Sequence, residues 1–169
     1  MTLSPSARKL TLTAHITSSV GWLGAIVGFL AIAIAGVTSV DHGFVRAAAR
    51  TMETIGWFVL VPLAVASLLT GLLQGLGSAW GVFRHYWVVA KLAINLFATV
   101  VLLLYMQTLG TAADVAARPR LSAADLELLQ SPSPVLHGAL ALALLVVATI
   151  LAVYKPRGLT PYGRRHAPR

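Results

Sequence analysis

There is no cysteine among the 169 residues. That removes disulfide frameworks, thiolate metal sites and thiol nucleophiles together. Acidic charge is scarce as well, with five Asp and Glu against thirteen Lys and Arg. Charged residues of either sign make up 11% of the chain, about half of what a soluble domain carries. No Asp, Glu, Lys or Arg stands between Lys9 and Asp41, Glu53 and Arg84, Lys91 and Asp114, or Glu127 and Lys155. Each gap holds the roughly 20 apolar residues that cross a bilayer.

The sequence therefore reads as all-α, a transmembrane four-helix bundle with helices at about 12–37, 55–77, 86–109 and 134–154. Residues 1–155 make this one domain. Residues 156–169 make a basic tail rich in Pro, Gly and Arg, expected to be disordered or to lie on anionic headgroups. Arg8 and Lys9, with Ala31-Ile-Ala33 or Ala33-Ile-Ala35 downstream, have the outline of a cleaved signal. The apolar run is about twice a signal's length, so the segment is read as a retained span. Ser122-Ala-Ala-Asp125 has the form of a capping box, and Leu126, Leu128 and Leu129 follow. A short surface helix is expected there, stopped by Pro132 and Pro134. There is no internal repeat.

Four spans return both termini to one side. That side holds Arg8, Lys9, Arg84, Lys155, Arg157, Arg164, Arg165 and Arg169. The other holds Arg46, Arg50, Arg118, Arg120 and every acidic residue. The excess of Lys and Arg places both termini in the cytoplasm, in a multi-pass protein of a bacterial inner membrane. The net charge of +8 is thus topological; no nucleic acid is expected as partner, and the lipid bilayer is. Trp57, Trp80, Tyr86, Trp87, Tyr105 and Tyr154 lie near helix ends, where aromatic rings anchor at the interface.

Gly24-Ala-Ile-Val-Gly28 and Gly71-Leu-Leu-Gln-Gly75 carry the spacing that lets helix backbones approach closely in lipid. Contacts through these faces would serve a homodimer or a larger membrane complex. Gly is also common in membrane helices, so such spacings arise by chance. Pro62 should kink the second span or frame a cavity.

Lys91 lies inside the third span, where an ammonium costs about 2.5–3.5 kcal/mol. It is about 7.5 Å along the helix from Tyr86. Its stem can carry the charge back to the headgroups. Asn95 and Thr99 continue its face, however, and a polar stripe belongs inside a bundle. All acidic residues are assigned to the far side, so its counter-anion is expected from outside the chain: a cofactor carboxylate, a lipid phosphate or a substrate anion. His15 stands near the same end of the first span, with Ser18, Ser19 and Trp22 on or near its face. Such a histidine is commonly an interhelical hydrogen bonder. An imidazole with a cation at matching depth is also what a haem requires, for the iron and for a propionate. His85 lies near the same interface. His137, His42, Met106 and Gln107 are candidates for a second polar layer on the far side. No HExxH spacing, nucleophile elbow or phosphate loop occurs; Gly75-Leu-Gly77 is too sparse for the last.

The stretch His15-Ile-Thr-Ser-Ser-Val-Gly-Trp22-Leu-Gly24 resembles the first-helix motif of the copper-resistance protein D family. The His-to-Trp spacing is also similar to that of the HemJ-type membrane protoporphyrinogen oxidases. Trp87-Val-Val-Ala-Lys91 looks like a later motif of those oxidases. That resemblance implies haem-site or catalytic roles for His15 and Lys91, with Trp22 and Trp87 matching. The basic, Arg-containing continuation of the oxidases' first helix is missing here, which separates the chain from protoporphyrinogen oxidation more than from haem. Over residues 10–106 the chain most resembles a bacterial family of integral membrane proteins of unknown function. The phrases Ser-Ser-Val-Gly-Trp22-Leu-Gly, Met52-Glu-Thr-Ile-Gly-Trp57-Phe and Phe83-Arg-His-Tyr-Trp87-Val carry that likeness.

Three functions stay open. One is a haem b protein with an electron-transfer or oxidoreductase role. In it His15 is an axial ligand, His85 a second, Lys91 the propionate partner on a face shared with Asn95, and Trp22 a pocket wall. Any ligand is then expected between helices one and three. The second is a cofactor-free accessory or structural subunit. The third is a small ion- or metal-handling transporter. No catalytic residue is assigned under any of them.

Overall fold

The computed structural model describes residues 4–78 and 81–165; Trp80 and Arg169 lie outside the described residues. Helix α1 runs from Pro5 to Thr38. Ser4 caps it by accepting from the Ala7 N–H, and Pro5 occupies the first turn, where no N–H is needed. Helix α2 spans His42–Ile55 and passes through a π-helical turn, Gly56–Leu60, into α3, Val61–Gly77. Helix α4 spans Tyr86–Ala116, α5 Ala123–Leu129, α6 Ser133–Tyr154 and α7 Pro161–Arg165.

Four of these helical stretches are long and apolar enough to cross a membrane, and the chain is a multi-pass membrane protein. Spans one to four are α1, α2 to α3, α4 and α6. Each packs on its chain neighbours and α6 closes on α1, so the first and third spans face each other diagonally. The core of the bundle is Trp22, Ile26, Phe29, Leu60, Ala64, Ala98, Tyr105, Met106, Leu109 and Leu145. The start of α1 and the end of α6 lie at one end of the bundle, here the terminal side. The Gln74 amide donates to the Thr11 carbonyl there, and the Leu159 backbone bridges to His85. At the opposite end, the loop side, Gln130 donates to the Ser39 carbonyl.

The second span is a continuous helical path from His42 to Gly77, 36 residues long. Its first part was expected as a connection. Asp41 starts it by accepting from the Gly43 N–H, and Val45, Ala48, Ala49 and Met52 bury one face. Helix α4 likewise runs seven residues past Leu109, to Ala116, and buries Ala113, Val115 and Ala116. Val45, Ala49, Val115, Ala116 and Leu129 form a small second core at the loop-facing ends of the second and third spans. Charge ends the apolar run of these helices without ending the helices. Helix α5 has the expected capping box, and Arg118 pairs with Asp125 at 2.6 Å. Arg46 also donates to the Arg118 carbonyl.

Pro62 does not simply kink its helix. It has no N–H to give, and the preceding turn widens so that the Val61 N–H reaches back to Gly56. Buried positions follow at Met52, Gly56, Leu60 and Ala64, a spacing of four that outruns the 3.6-residue turn. The π turn absorbs the difference. Gly56 is required there because a methyl would strike Met106, 2.6 Å from its Sδ.

The tail departs from expectation. After a left-handed Lys155, Gly158 accepts from the Tyr86 N–H at 3.3 Å, and the Thr160 N–H donates to Arg84 at 3.0 Å. The Thr160 hydroxyl donates to the Phe83 carbonyl at 2.5 Å. A side chain at Gly163 would run into the Arg84 carbonyl. Residues 156–165 are thus strapped across the terminal side by backbone hydrogen bonds.

Candidate functional site

The His15 ring points into the bundle. Its Nδ1 lies 3.2 Å from the Ser67 carbonyl and 3.2 Å from the Thr70 hydroxyl. A carbonyl only accepts, so this contact assigns the hydrogen to Nδ1, and in the neutral ring Nε2 keeps its lone pair. Thr70 donates its own proton to the Ala66 carbonyl at 2.6 Å, which leaves its oxygen free to accept. The ring lies flat enough on α3 that a methyl at Gly71 would come within 3.0 Å of Cε1. The second small-residue motif therefore makes a real contact, with Gly71 against His15 and Gly75 against Val82. The first does not: Gly24 and Gly28 face open space.

Ser67 is 1% exposed and is the hub. Its hydroxyl meets Ser19 at 2.8 Å and the Asn95 Nδ2 at 3.0 Å. Spans one, two and three therefore meet through one serine. Thr99, on the same face as Asn95, donates to the Asn95 carbonyl at 2.8 Å. The Asn95 Oδ1 is buried and has no partner among the described residues. Turning the amide over would only move the vacancy to nitrogen.

Lys91 lies one turn nearer the terminal side on the face of Asn95. Its Nζ sits 5.8 Å from the centroid of Trp87, at cation–π range, and it is within electrostatic reach of His15 and Lys155. It forms no ion pair among the described residues; the pair recorded there is Arg118 with Asp125. Its stem therefore does not carry it to a carboxylate, and the chain's acidic residues are on the loop side.

The structure thus brings together His15, Lys91 and Asn95. Ser67 and Thr70 join them, two residues the sequence reading passed over. They stand between the first and third spans, so the space expected between helices one and three is occupied by the second. His85 lies at the same end of the bundle. It sits in the connecting segment as the residue before α4, its backbone bridged to Leu159 and its ring tilted against Trp87 at 6.4 Å. Trp22 is fully buried, but it walls a different space, an apolar cavity of about 130 Å³ that reaches Tyr105 and His137. A wider crevice of about 620 Å³ adjoins it on the loop side at Tyr105 and Leu109. Neither space is lined by His15, Lys91 or Asn95.

The far polar layer also differs from expectation. Met106 is core, packed on Gly56, while His42 and Gln107 are exposed. Its members are Tyr105, Ser133 and His137. Tyr105 and His137 stack with centroids 4.0 Å apart at 17°, and the Tyr105 hydroxyl meets Ser133 at 3.0 Å. Trp87 and Tyr105 are buried, so neither is an interfacial anchor, whereas Trp57, Tyr86 and Tyr154 are exposed as anchors are. Among the described residues no group of three or more His, Asp or Glu is placed to hold a metal ion. No family model, curated protein or solved structure matches the chain.

Proposed function

We propose that the terminal-side half binds haem b and that the protein serves electron transfer or a related oxidation in a bacterial inner membrane. One observation carries this reading: His15 is held by Nδ1 on a backbone carbonyl, which leaves Nε2 as a ligand atom. Metal-binding histidines are oriented in this way by their other nitrogen. The remaining residues suit the same group. Lys91 supplies positive charge to a carboxylate that the chain does not provide, and the open Asn95 Oδ1 can accept a hydrogen bond from a protonated group. Haem would contribute a one-electron couple; the chain's part is to orient the imidazole, hold the carboxylate and keep water out. His85 stands as the candidate second ligand.

The test is the absorption spectrum of protein purified in detergent from haem-supplemented cells. A Soret band is expected, lost in His15→Ala and retained with altered affinity in Lys91→Met. A spectrum with no Soret band, or one indifferent to His15→Ala, overturns the reading.

The charge asymmetry supports cytoplasmic termini. In a chain without cysteine, Ser6→Cys is expected to resist an impermeant maleimide in intact cells, while Thr51→Cys reacts.

One observation favours a second reading, a cofactor-free accessory subunit. The open face of Gly24 and Gly28 is free to receive another helix. A single Gly24→Cys would then form a disulfide between copies, or fail to if the face meets only lipid.

A further inference from the structure

The loop-side half carries a second site. The cavity beside Trp22 is apolar along Phe29, Ala98 and Ala141 and has its polar groups at one end, Tyr105 and His137. His137 Nδ1 lies 2.9 Å from the Ser133 carbonyl, which assigns the hydrogen to Nδ1 and lets Nε2 of the neutral ring accept. The hydroxyls of Tyr105 and Ser133 lie 3.0 Å apart and can supply one donor beyond their mutual bond. The lining includes Phe97 and Leu140, 55% and 57% exposed between the third and fourth spans, so the mouth opens sideways to acyl chains. An occupant therefore arrives from the bilayer. The cavity's inner part, about 130 Å³, is close to cavities that admit one benzene ring, so substituents on an occupant's ring lie in the open mouth. Its polar group is uncharged, because no Lys or Arg lines the cavity and no carboxylate does. A flat ring matches the stacked Tyr105–His137 pair and the Trp22 and Phe29 walls better than a flexible chain does.

We propose that this cavity binds the headgroup of a lipid-soluble quinone or quinol, with its carbonyl or hydroxyl against Tyr105 and His137 and its tail leaving between α4 and α6. The site does not depend on haem at the other end.

The test uses the full chain in nanodiscs and decylubiquinone as probe, with decylbenzene as a control that lacks the oxygens. The readout is saturable quenching of Trp22 fluorescence, defined as the part missing in Trp22→Phe. Decylubiquinone is expected to saturate and decylbenzene to give only linear partitioning. Ala141→Phe should abolish saturation by filling the space. Tyr105→Phe, which removes one oxygen and keeps the ring, should weaken binding about fivefold, and it decides the matter if Ala141→Phe does not fold. Binding should be unchanged in protein from cells grown without haem supplementation, which separates this result from the haem experiment. Absence of saturable quenching, equal binding of decylbenzene, or indifference to Tyr105→Phe overturns the proposal; the first two would mark the cavity as a seat for acyl chains.

Discussion

His15 and His137 are held alike, each with Nδ1 on a backbone carbonyl and Nε2 left over, yet they stand in opposite surroundings. Around His15 are hydroxyls, an amide and an ammonium contributed by three helices, with a strap of backbone drawn across the end. Around His137 are a phenol ring, one serine and a wall of aliphatic side chains that opens to lipid. The difference shows what a membrane interior does with polarity. Where several polar groups are buried they must satisfy one another, so the terminal half is tied through Ser67. Where one polar group sits at the rim, stacking is enough and space is left beside it.

The strongest way to break this contrast is Ser67→Leu. It removes the hydroxyl from Ser19 and Asn95 and forces bulk into a filled position, at a cost of about 3 kcal/mol in unfolding by sodium dodecyl sulfate titration. Lys91→Met should move stability the other way, by about 1 kcal/mol, because an unpaired ammonium is exchanged for an apolar chain of similar length. A stabilised Lys91→Met that also loses haem affinity would identify this residue as kept for binding. Gly24→Ala and Gly71→Ala sharpen the comparison within the helices. Alanine is favoured by about 1 kcal/mol in a helix interior, and Gly24→Ala should realise that gain while Gly71→Ala forfeits most of it against His15. The smallest effect is expected at the loop side. Tyr105→Phe gives up one hydrogen bond at about 0.6 kcal/mol, the usual value between membrane helices.

The four spans were legible because charge is excluded from hydrocarbon, and four charge-free gaps leave little choice. Their ends were not. Helices α2 and α4 continue beyond the apolar run, where Val45 and Ala49 pack with Val115 and Ala116 in the second core. The order of residues 156–165 was not legible because composition registers Arg and Pro but not the hydrogen bonds of Gly158 and Thr160. At the site, His15, Lys91 and Asn95 could be found because ionisable and amide groups are costly in lipid and fall on defined faces. Ser67 and Thr70 were missed because a hydroxyl in a membrane helix can satisfy itself on the preceding turn, as Thr70 partly does. The signal was present: Ser67, Thr70, Gly71 and Gln74 recur at helical spacing on one face. Nearness to a helix end did not reveal which way Trp87 and Tyr105 turn.

The wide turn at Gly56–Leu60 sets the azimuth of everything below it. Were that stretch to relax to an ordinary pitch with no residue lost, α3 would swing by about 100°, carrying Ser67 and Thr70 away from the imidazole while α2 kept its place; deleting one residue along with it would leave α3 where it stands. The upper and lower halves of this helix are thus aimed by separate parts of the chain, and one surplus residue acts as the set-screw between them.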